Sequence, residues 1–318
     1  MSSRSDRRVA RLHERLAGGE VVIMDGGTGT GLQAMGVPMD GEAWGGVANL
    51  THLDVVQRLH AAYLAAGAQI LITNTFATGP GPLAAAGYGD RFAEANRNAA
   101  AAAMQARSEA GDDDVLVAGS MSRDVANGLA ATGVPFDVSD DAAALRDGYR
   151  RQADVLAEAG VDVLALEMMG SCTHLEPAVE AAAETGLPVW VGLSIARAGD
   201  GPAETIDGED ARGLIAALPA GPIDAVFAMH NDVDVVPAAL AALRGVWPGT
   251  LGAYPHVGDW EPPNWVFREI APADFARRAR EWVAQGAGIV GGCCGTGPEH
   301  IAALTATFAG SSQGSVDG

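Results

Sequence analysis

Cys293 and Cys294 stand side by side in the run Gly291-Gly292-Cys293-Cys294-Gly295-Thr296-Gly297-Pro298-Glu299-His300. Neighbouring thiols suit a soft cation such as zinc, which takes thiolates and holds them deprotonated at neutral pH. On a regular strand, adjacent side chains point to opposite faces. Both sulfurs can reach one ion only if the backbone leaves the strand conformation there. Flanking glycines permit that, and Thr296 with Pro298 suits the start of a helix. The competing reading is a pair of buried structural cysteines. One further cysteine, Cys172, completes the set.

Other polar residues follow short apolar runs. Asp25 follows 21–24, Asn74 follows 69–73, and Ser120 comes just after 115–118. Glu167 follows 161–166, His230 follows 223–229, and Tyr254 follows 250–253. The thiol pair comes after 286–290, and an eighth run covers 188–193. Bounded by turn signals, these runs read as eight strands. Helical patterns lie between them at 52–66, 91–109, 142–159, 175–184, 237–243 and 272–285, with Thr51 and Asp140 as N-cap candidates.

Eight strand–helix alternations in 318 residues predict an α/β fold, a (β/α)8 TIM barrel in a single domain. Continuously apolar strands fit a parallel sheet covered on both faces, and a doubly wound open sheet is the competitor. In a barrel the carboxyl ends of the strands converge on one mouth, which gathers the polar residues above. Residues 1–19 read as an N-terminal helical extension, 20–309 as the barrel, and the Gly/Ser-rich 310–318 as a disordered tail.

Composition narrows the chemistry. All 20 basic residues are Arg, which excludes a lysine Schiff base and a P-loop lysine. Against 40 acids the net charge is −20, unsuited to nucleic acid or an anionic membrane surface. Three cysteines make no disulfide framework, which points to a reducing, cytoplasmic setting. Residues 1–15 lack the apolar core of a signal peptide, and Asp6 and Glu14 argue against a transit peptide. No run is long enough for a membrane span. Self-association and salt adaptation are left open.

The sequence resembles the homocysteine S-methyltransferase family, which includes betaine– and S-methylmethionine–homocysteine methyltransferases, and the homocysteine-binding domain of cobalamin-dependent methionine synthase. The resemblance rests on Met24-Asp25-Gly26-Gly27-Thr28-Gly29-Thr30, Thr73-Asn74-Thr75-Phe76, Gly119-Ser120, Leu166-Glu167 and Gly291 to Pro298, spanning nearly the whole chain. It implies a (β/α)8 barrel with Zn2+ held by three cysteines at the mouth, two of them matching Cys293 and Cys294. The third should follow the sixth strand, where this chain reads Met229-His230-Asn231. His230 is the better ligand, since a neutral amide binds zinc poorly. Asn231, a swung-in Cys172, and no metal at all stay open.

Other departures are Gly31 in place of an acid, Met121-Ser122 in place of Gly-Pro, and His256 and Asp259 in the seventh-strand motif. The resemblance implies substrate-binding roles for Asp25, Gly26, Gly27, Asn74, Thr75, Phe76, Ser120, Glu167, Tyr254 and Asp259. The expected reaction moves a methyl group from a sulfonium or betaine-type donor to a thiol such as homocysteine, giving methionine. No catalytic side chain is expected beyond the metal-activated substrate thiol. The donor leaves as a neutral molecule, so no general acid is needed. Asp25, Glu167 and Asp259 are candidates to hold cationic groups, and Trp260, Trp265, Phe76 and Tyr254 to face a methylated cation. With no room for a corrinoid or folate domain, the donor is a free small molecule or a separate corrinoid protein. The alternative is a divergent member that binds a related molecule without methyl transfer, or acts on another methylated substrate.

Overall fold

The computed structural model describes residues 3–123, 142–198, 201, 203–218 and 222–309. The N-cap candidate Asp140 and the tail 310–318 lie outside the described residues. Eight strands run in order around one parallel sheet: β1 (Val22–Ile23), β2 (Ile70–Ile72), β3 (Leu116–Met121), β4 (Val163–Met169), β5 (Val189–Leu193), β6 (Ile223–Asp232), β7 (Thr250–His256) and β8 (Ala287–Val290). β1 pairs with β8 in parallel register, Val22 beside Ile289. A parallel bridge from Met24 to Ile70 joins β1 to β2 and closes the ring. The structure is therefore the expected (β/α)8 barrel.

Alternation along each strand sorts side chains into two cores. Leu116, Ala118, Val163, Ala165, Ala225 and Phe227 fill the barrel interior. Val117, Leu164, Leu166, Val226 and Ala228 face the surrounding helices. The helix Arg4–Ala17 is capped by Ser3, whose Oγ accepts from the Asp6 amide at 3.0 Å. Its Val9 and Leu12 enter the interior cluster from one end, so it plugs the barrel.

The helices at Leu53–Ala65, Phe92–Ala110, Ala142–Ala159, Cys172–Glu184, Val236–Arg244 and Pro272–Ala284 match the periodic stretches to within a few residues. Thr51 is not the cap of its helix. It ends a short preceding turn of helix and its hydroxyl donates back to the Val47 carbonyl, while His52 takes the N-cap position. Three short helices, Thr28–Ala34, Pro80–Ala85 and Ala211–Ala216, and two hairpins lie in loops that periodicity could not read. The hairpins pair Ile195–Arg197 with Glu204–Thr205 and Asp259–Glu261 with Asn264–Val266. No described helix is long and apolar enough to cross a membrane.

Asp162 joins the plug to the barrel. Fully buried, it accepts from Arg8 Nη1 at 2.9 Å and Arg107 Nη1 at 2.8 Å, and from the Val117 amide at 2.9 Å. Removing one partner of a buried charge network strands the others and costs about 3–5 kcal/mol. Asp162→Ala is expected to lose stability of that order in urea denaturation at neutral pH, without moving residues at the mouth.

Candidate metal and substrate site

Beyond β8 the chain leaves the sheet. The Cys293 amide donates to the Pro255 carbonyl at 2.8 Å, and the Val257 amide donates to the Cys294 carbonyl at 2.7 Å. Thr296 Oγ1 folds back on the Cys293 carbonyl at 2.7 Å and closes a turn. Only Gly295 needs a left-handed backbone here, with φ 80°. Gly291 and Gly292 are required for space: an added Cβ would press into Met24 at 2.7 Å and collide with Thr296. The expectation that glycine conformational freedom releases the two thiols thus holds at one position, and close packing explains the others.

His230 reaches the same place by a different route. It lies on β6, where alternation would turn it outward because Phe227 and Met229 face inward. The β6–β7 register shifts between Met229 and Asp232, and His230 takes φ 53°. This bulge turns two consecutive residues, Met229 and His230, into the cavity. His230 Nδ1 lies 3.4 Å from Cys293 Sγ, and Cys293 Sγ lies 3.9 Å from Cys294 Sγ. One donor atom from each of the three residues falls within 4.8 Å of the others. Bonds of about 2.0–2.3 Å around a tetrahedral centre set donors about 3.3–3.8 Å apart, close to these two separations, so His230, Cys293 and Cys294 would suit a zinc-sized ion.

The other candidates for the third donor lie outside the cluster of His230, Cys293 and Cys294. Asn231 is buried and its amide donates to the Ile195 carbonyl at 2.7 Å. Cys172 opens a helix, with its backbone amide 3.3 Å from the Glu209 carboxylate, and is not part of the donor cluster. His256 backs His230 instead, with ring centroids 4.4 Å apart, and Trp265 closes on both. Burial, with the neighbouring His230 adding, lowers the His256 pKa to about 4, so its ring is neutral at neutral pH. The nearby thiol and burial raise Cys293 well above the ordinary thiol range.

A second bulge shapes the floor. The β4–β5 register shifts between Leu166 and Met169, and Met168 adopts φ 55°. Glu167 and Met168 both line the cavity as a result. Ser120 Oγ donates to Glu167 Oε2, and the Tyr254 hydroxyl also hydrogen-bonds this carboxylate. Burial outweighs both contacts and raises Glu167 to about 7. Asp25 is raised well above its ordinary value by burial, with Glu167 adding to the shift. Its Oδ2 accepts from the Ile72 amide at 2.9 Å, and Oδ1 is buried without a partner.

The other expected substrate residues divide in two. Gly26, Gly27, Phe76, Glu167 and Tyr254 line the cavity with His230, Cys293 and Cys294. Asn74 and Thr75 do not. The Asn74 amide is spent on the Gly45 carbonyl and Asn49, and the Thr75 hydroxyl donates to the Ser120 carbonyl. They hold the wall that carries Phe76. Asp259 also falls outside: it is exposed on a hairpin and pairs with Arg268 at 2.7 Å. Gly31 packs against Leu59, where an acid would not fit without displacement.

Several lining residues escape a reading of strand ends: Trp44, Ser122, Arg123, Met168 and Met229. Trp44 lies on a loop and its ring rests on Gly29, where an added Cβ would meet it at 2.5 Å. It meets Trp260 edge-on at 5.7 Å. The Gly-Thr-Gly spacing was the one available hint, since it leaves a flat bare surface.

Fold and site together define a (β/α)8 barrel with two thiols and an imidazole gathered at the mouth, above a buried carboxylate. The profile of the homocysteine S-methyltransferase family matches residues 22–308, and the chain belongs to that family. Homocysteine S-methyltransferase 1 of Zea mays is 29% identical over 92% of this chain and 96% of its own length. S-methylmethionine–homocysteine S-methyltransferase BHMT2 of Pongo abelii is 30% identical, covering 93% of this chain and 80% of its own. Among solved structures, the metallated form of the homocysteine methyltransferase MmuM of Escherichia coli superposes with a TM-score of 0.78 at 25% identity, covering 93% of this chain and 99% of that one.

Glu167 gives the site a pH signature. Its folded value is raised from 4.5 to about 7, so the native state binds the extra proton between those limits. Stability therefore falls as pH rises through that window, by on the order of 3 kcal/mol. Glu167→Gln is expected to remove this fall. The variant should gain on the wild type between pH 4.5 and 7.5 in urea denaturation midpoints.

Proposed function

We propose that this protein transfers a methyl group from a small onium donor to homocysteine, with zinc held by His230, Cys293 and Cys294. The observation that carries the reading is the cluster of these three donors on the wall of a cavity floored by Glu167 and Tyr254. The names of the family relatives, which act on homocysteine and in one case on S-methylmethionine, support it. When bound there, zinc would supply a Lewis acid that holds a thiol in its nucleophilic, deprotonated form.

The chain's own residues do the remaining work. Glu167 takes the ammonium of the amino-acid acceptor. With its value near 7 it ionises readily once a cation arrives, and Ser120 and Tyr254 donate to the charged form. Asp25 adds a second acid behind the cavity lining, and Gly26 and Gly27 lie on the wall, where an added Cβ would meet Thr296, Thr30 or Cys293. Phe76, Trp44, Trp260 and Trp265 line the cavity and offer ring faces to a methylated cation. In the transfer, the sulfur anion forms a bond to the methyl carbon as the carbon–onium bond breaks, and the donor keeps that electron pair. Opposite charges cancel in this step. Apolar walls that exclude water therefore favour it, since water would stabilise the charged reactants more than the transition state.

Mass-spectrometric detection of methionine from homocysteine and S-methylmethionine or betaine, with zinc measured on the same sample, tests the proposal. Purified protein is expected to hold about one zinc per chain, as a site with three protein ligands should. Cys293→Ser and His230→Ala are expected to lose zinc by more than the ~10–100-fold that outer-shell changes cost, and to lose transfer with it. Asn231→Ala and Cys172→Ala should keep their zinc. A His230→Ala protein with full zinc would remove the third ligand. Zinc-loaded wild type inert toward every onium donor would remove the reaction.

A further inference from the structure

Trp265 is 4% exposed, although the hairpin residues on either side of it, Asn264 and Val266, are exposed. Its indole Nε1 donates to the Val257 carbonyl at 2.8 Å. The amide of the same Val257 donates to the Cys294 carbonyl at 2.7 Å. One residue thus stands between the indole and the thiol turn after β8. The same ring meets His230 and His256 edge-on, with centroids 5.7 and 5.6 Å away. Gln33, on the helix Thr28–Ala34, fixes the Trp265 backbone in both directions. Its amide donates to the Trp265 carbonyl and its Oε1 accepts from the Trp265 amide, each at 2.9 Å.

Two glycines make room for this indole edge. Gly258, with φ 116°, and Gly295, with φ 80°, come from different loops. A Cβ on Gly258 would collide with Trp265 Nε1, and one on Gly295 would lie 3.0 Å from it and collide with the Val257 carbonyl. Apolar filling alone does not call for such a fit, since a phenylalanine ring would cover much of the same surface. The N–H adds a fixed place for Val257, and through it for Cys294. Three donor residues must meet at one point, yet they come from two elements, the bulge of β6 and the turn after β8. Donor atoms have to be held to within about 0.5 Å of a working geometry. Trp265 touches both elements, one through its ring and the other through its N–H.

We infer that Trp265 is the positioning residue of the donor cluster, a brace that holds the thiol turn against His230 before any metal arrives. That the cluster takes zinc rests on the methyl-transfer reading; the brace itself rests on the hydrogen bonds and ring contacts. Donors already held in place lose less freedom when an ion binds, so metal affinity follows from the brace.

The test has two readouts on the full chain. The first is amide hydrogen exchange of the metal-free protein, resolved by residue. Trp265→Phe keeps a ring beside the imidazoles and loses the N–H. It should speed exchange of the Val257 and Cys293 amides about 3–10-fold, the worth of one neutral hydrogen bond, and leave the amides of β3 and β4 at their wild-type rates. The second is a titration with Co2+, whose absorption bands report thiolate ligation and tetrahedral geometry. Trp265→Phe should bind Co2+ about 10–100-fold more weakly, the usual cost of losing a group that holds the ligands, and its visible bands should shift. Gln33→Ala, which keeps the indole but frees its backbone, should move both readouts the same way. It also serves as the reading variant if the Phe protein does not fold.

Three results would overturn the brace: wild-type exchange at Val257 and Cys293 in both variants, faster exchange spread evenly over β3 and β4 as well, or faster exchange at the turn with Co2+ bound as in the wild type. The second would mark Trp265 as general packing, and the third would leave Val257 held but the donors indifferent to it. The two readings fail separately. A wild type that takes up neither Co2+ nor Zn2+ sinks the metal reading, and exchange in the metal-free protein then decides the brace alone.

Discussion

Strict alternation of side chains along parallel strands is the constraint on which this molecule depends. It divides the barrel into an interior of Leu116, Ala118, Val163, Ala165 and Phe227 and an outer layer packed on helices. An undisturbed strand can present only every second residue to the mouth. The site needs more than that, and it gets it by breaking alternation where strands end. At β4 the break brings in Glu167 with Met168, at β6 Met229 with His230, and after β8 Cys293 with Cys294. In the first two cases a residue other than glycine takes a positive φ. Such a conformation costs about 1–3 kcal/mol and persists only where its surroundings hold it. For Met168 the hold is visible in its amide, 3.3 Å from the Met229 sulfur, and for His230 in the rings of His256 and Trp265. The two bulges also touch one another through Met229, so the floor and the wall bearing His230 are built as one unit.

Electrostatics at the mouth follow from the same geometry. Turning Glu167 inward buries it, and burial lifts it to about 7 despite two hydroxyl donors. Asp25 lies buried close enough to feel it. Glu167 is thus the acid on the cavity wall, with Asp25 buried behind the lining. His256 stays neutral and adds no positive charge behind the donor cluster. The −20 charge of the chain as a whole plays no part in this local balance, because exposed charges farther than about 10 Å away are screened by salt.

The barrel was legible in the sequence because eight apolar runs and their helices carry strong periodicity. The site was legible in part, because chemistry-bearing residues cluster at strand ends in any such barrel. What sequence cannot show is which side a residue faces once alternation fails. His230 was chosen over Asn231 on ligand chemistry alone, although strand alternation would have pointed it outward. The geometry brings it to the thiols through a bulge that has no glycine to announce it. Asn74 and Asp259 failed the other way. Both sit at suggestive positions, but one is consumed by backbone and side-chain partners and the other is carried off on an exposed hairpin. Trp44 and Arg123 were invisible because loops, not strands, deliver them.

The donor set also has a consequence for charge. If His230, Cys293 and Cys294 hold zinc as proposed, two thiolates and an imidazole would balance the divalent cation, whereas the three thiolates implied by the family resemblance would leave one negative charge in excess. A balanced centre attracts a cationic donor less and releases electron density to a bound sulfur less readily. The remaining attraction for the donor must then come from groups outside the cluster. The aromatic faces and the buried acids are suited to that, since neither is neutralised when the cluster is filled. Under the proposed zinc site, histidine in place of the third thiol would shift the burden of cation recognition from the metal to the cavity walls. Those walls include Trp44, Trp260, Met168 and Arg123.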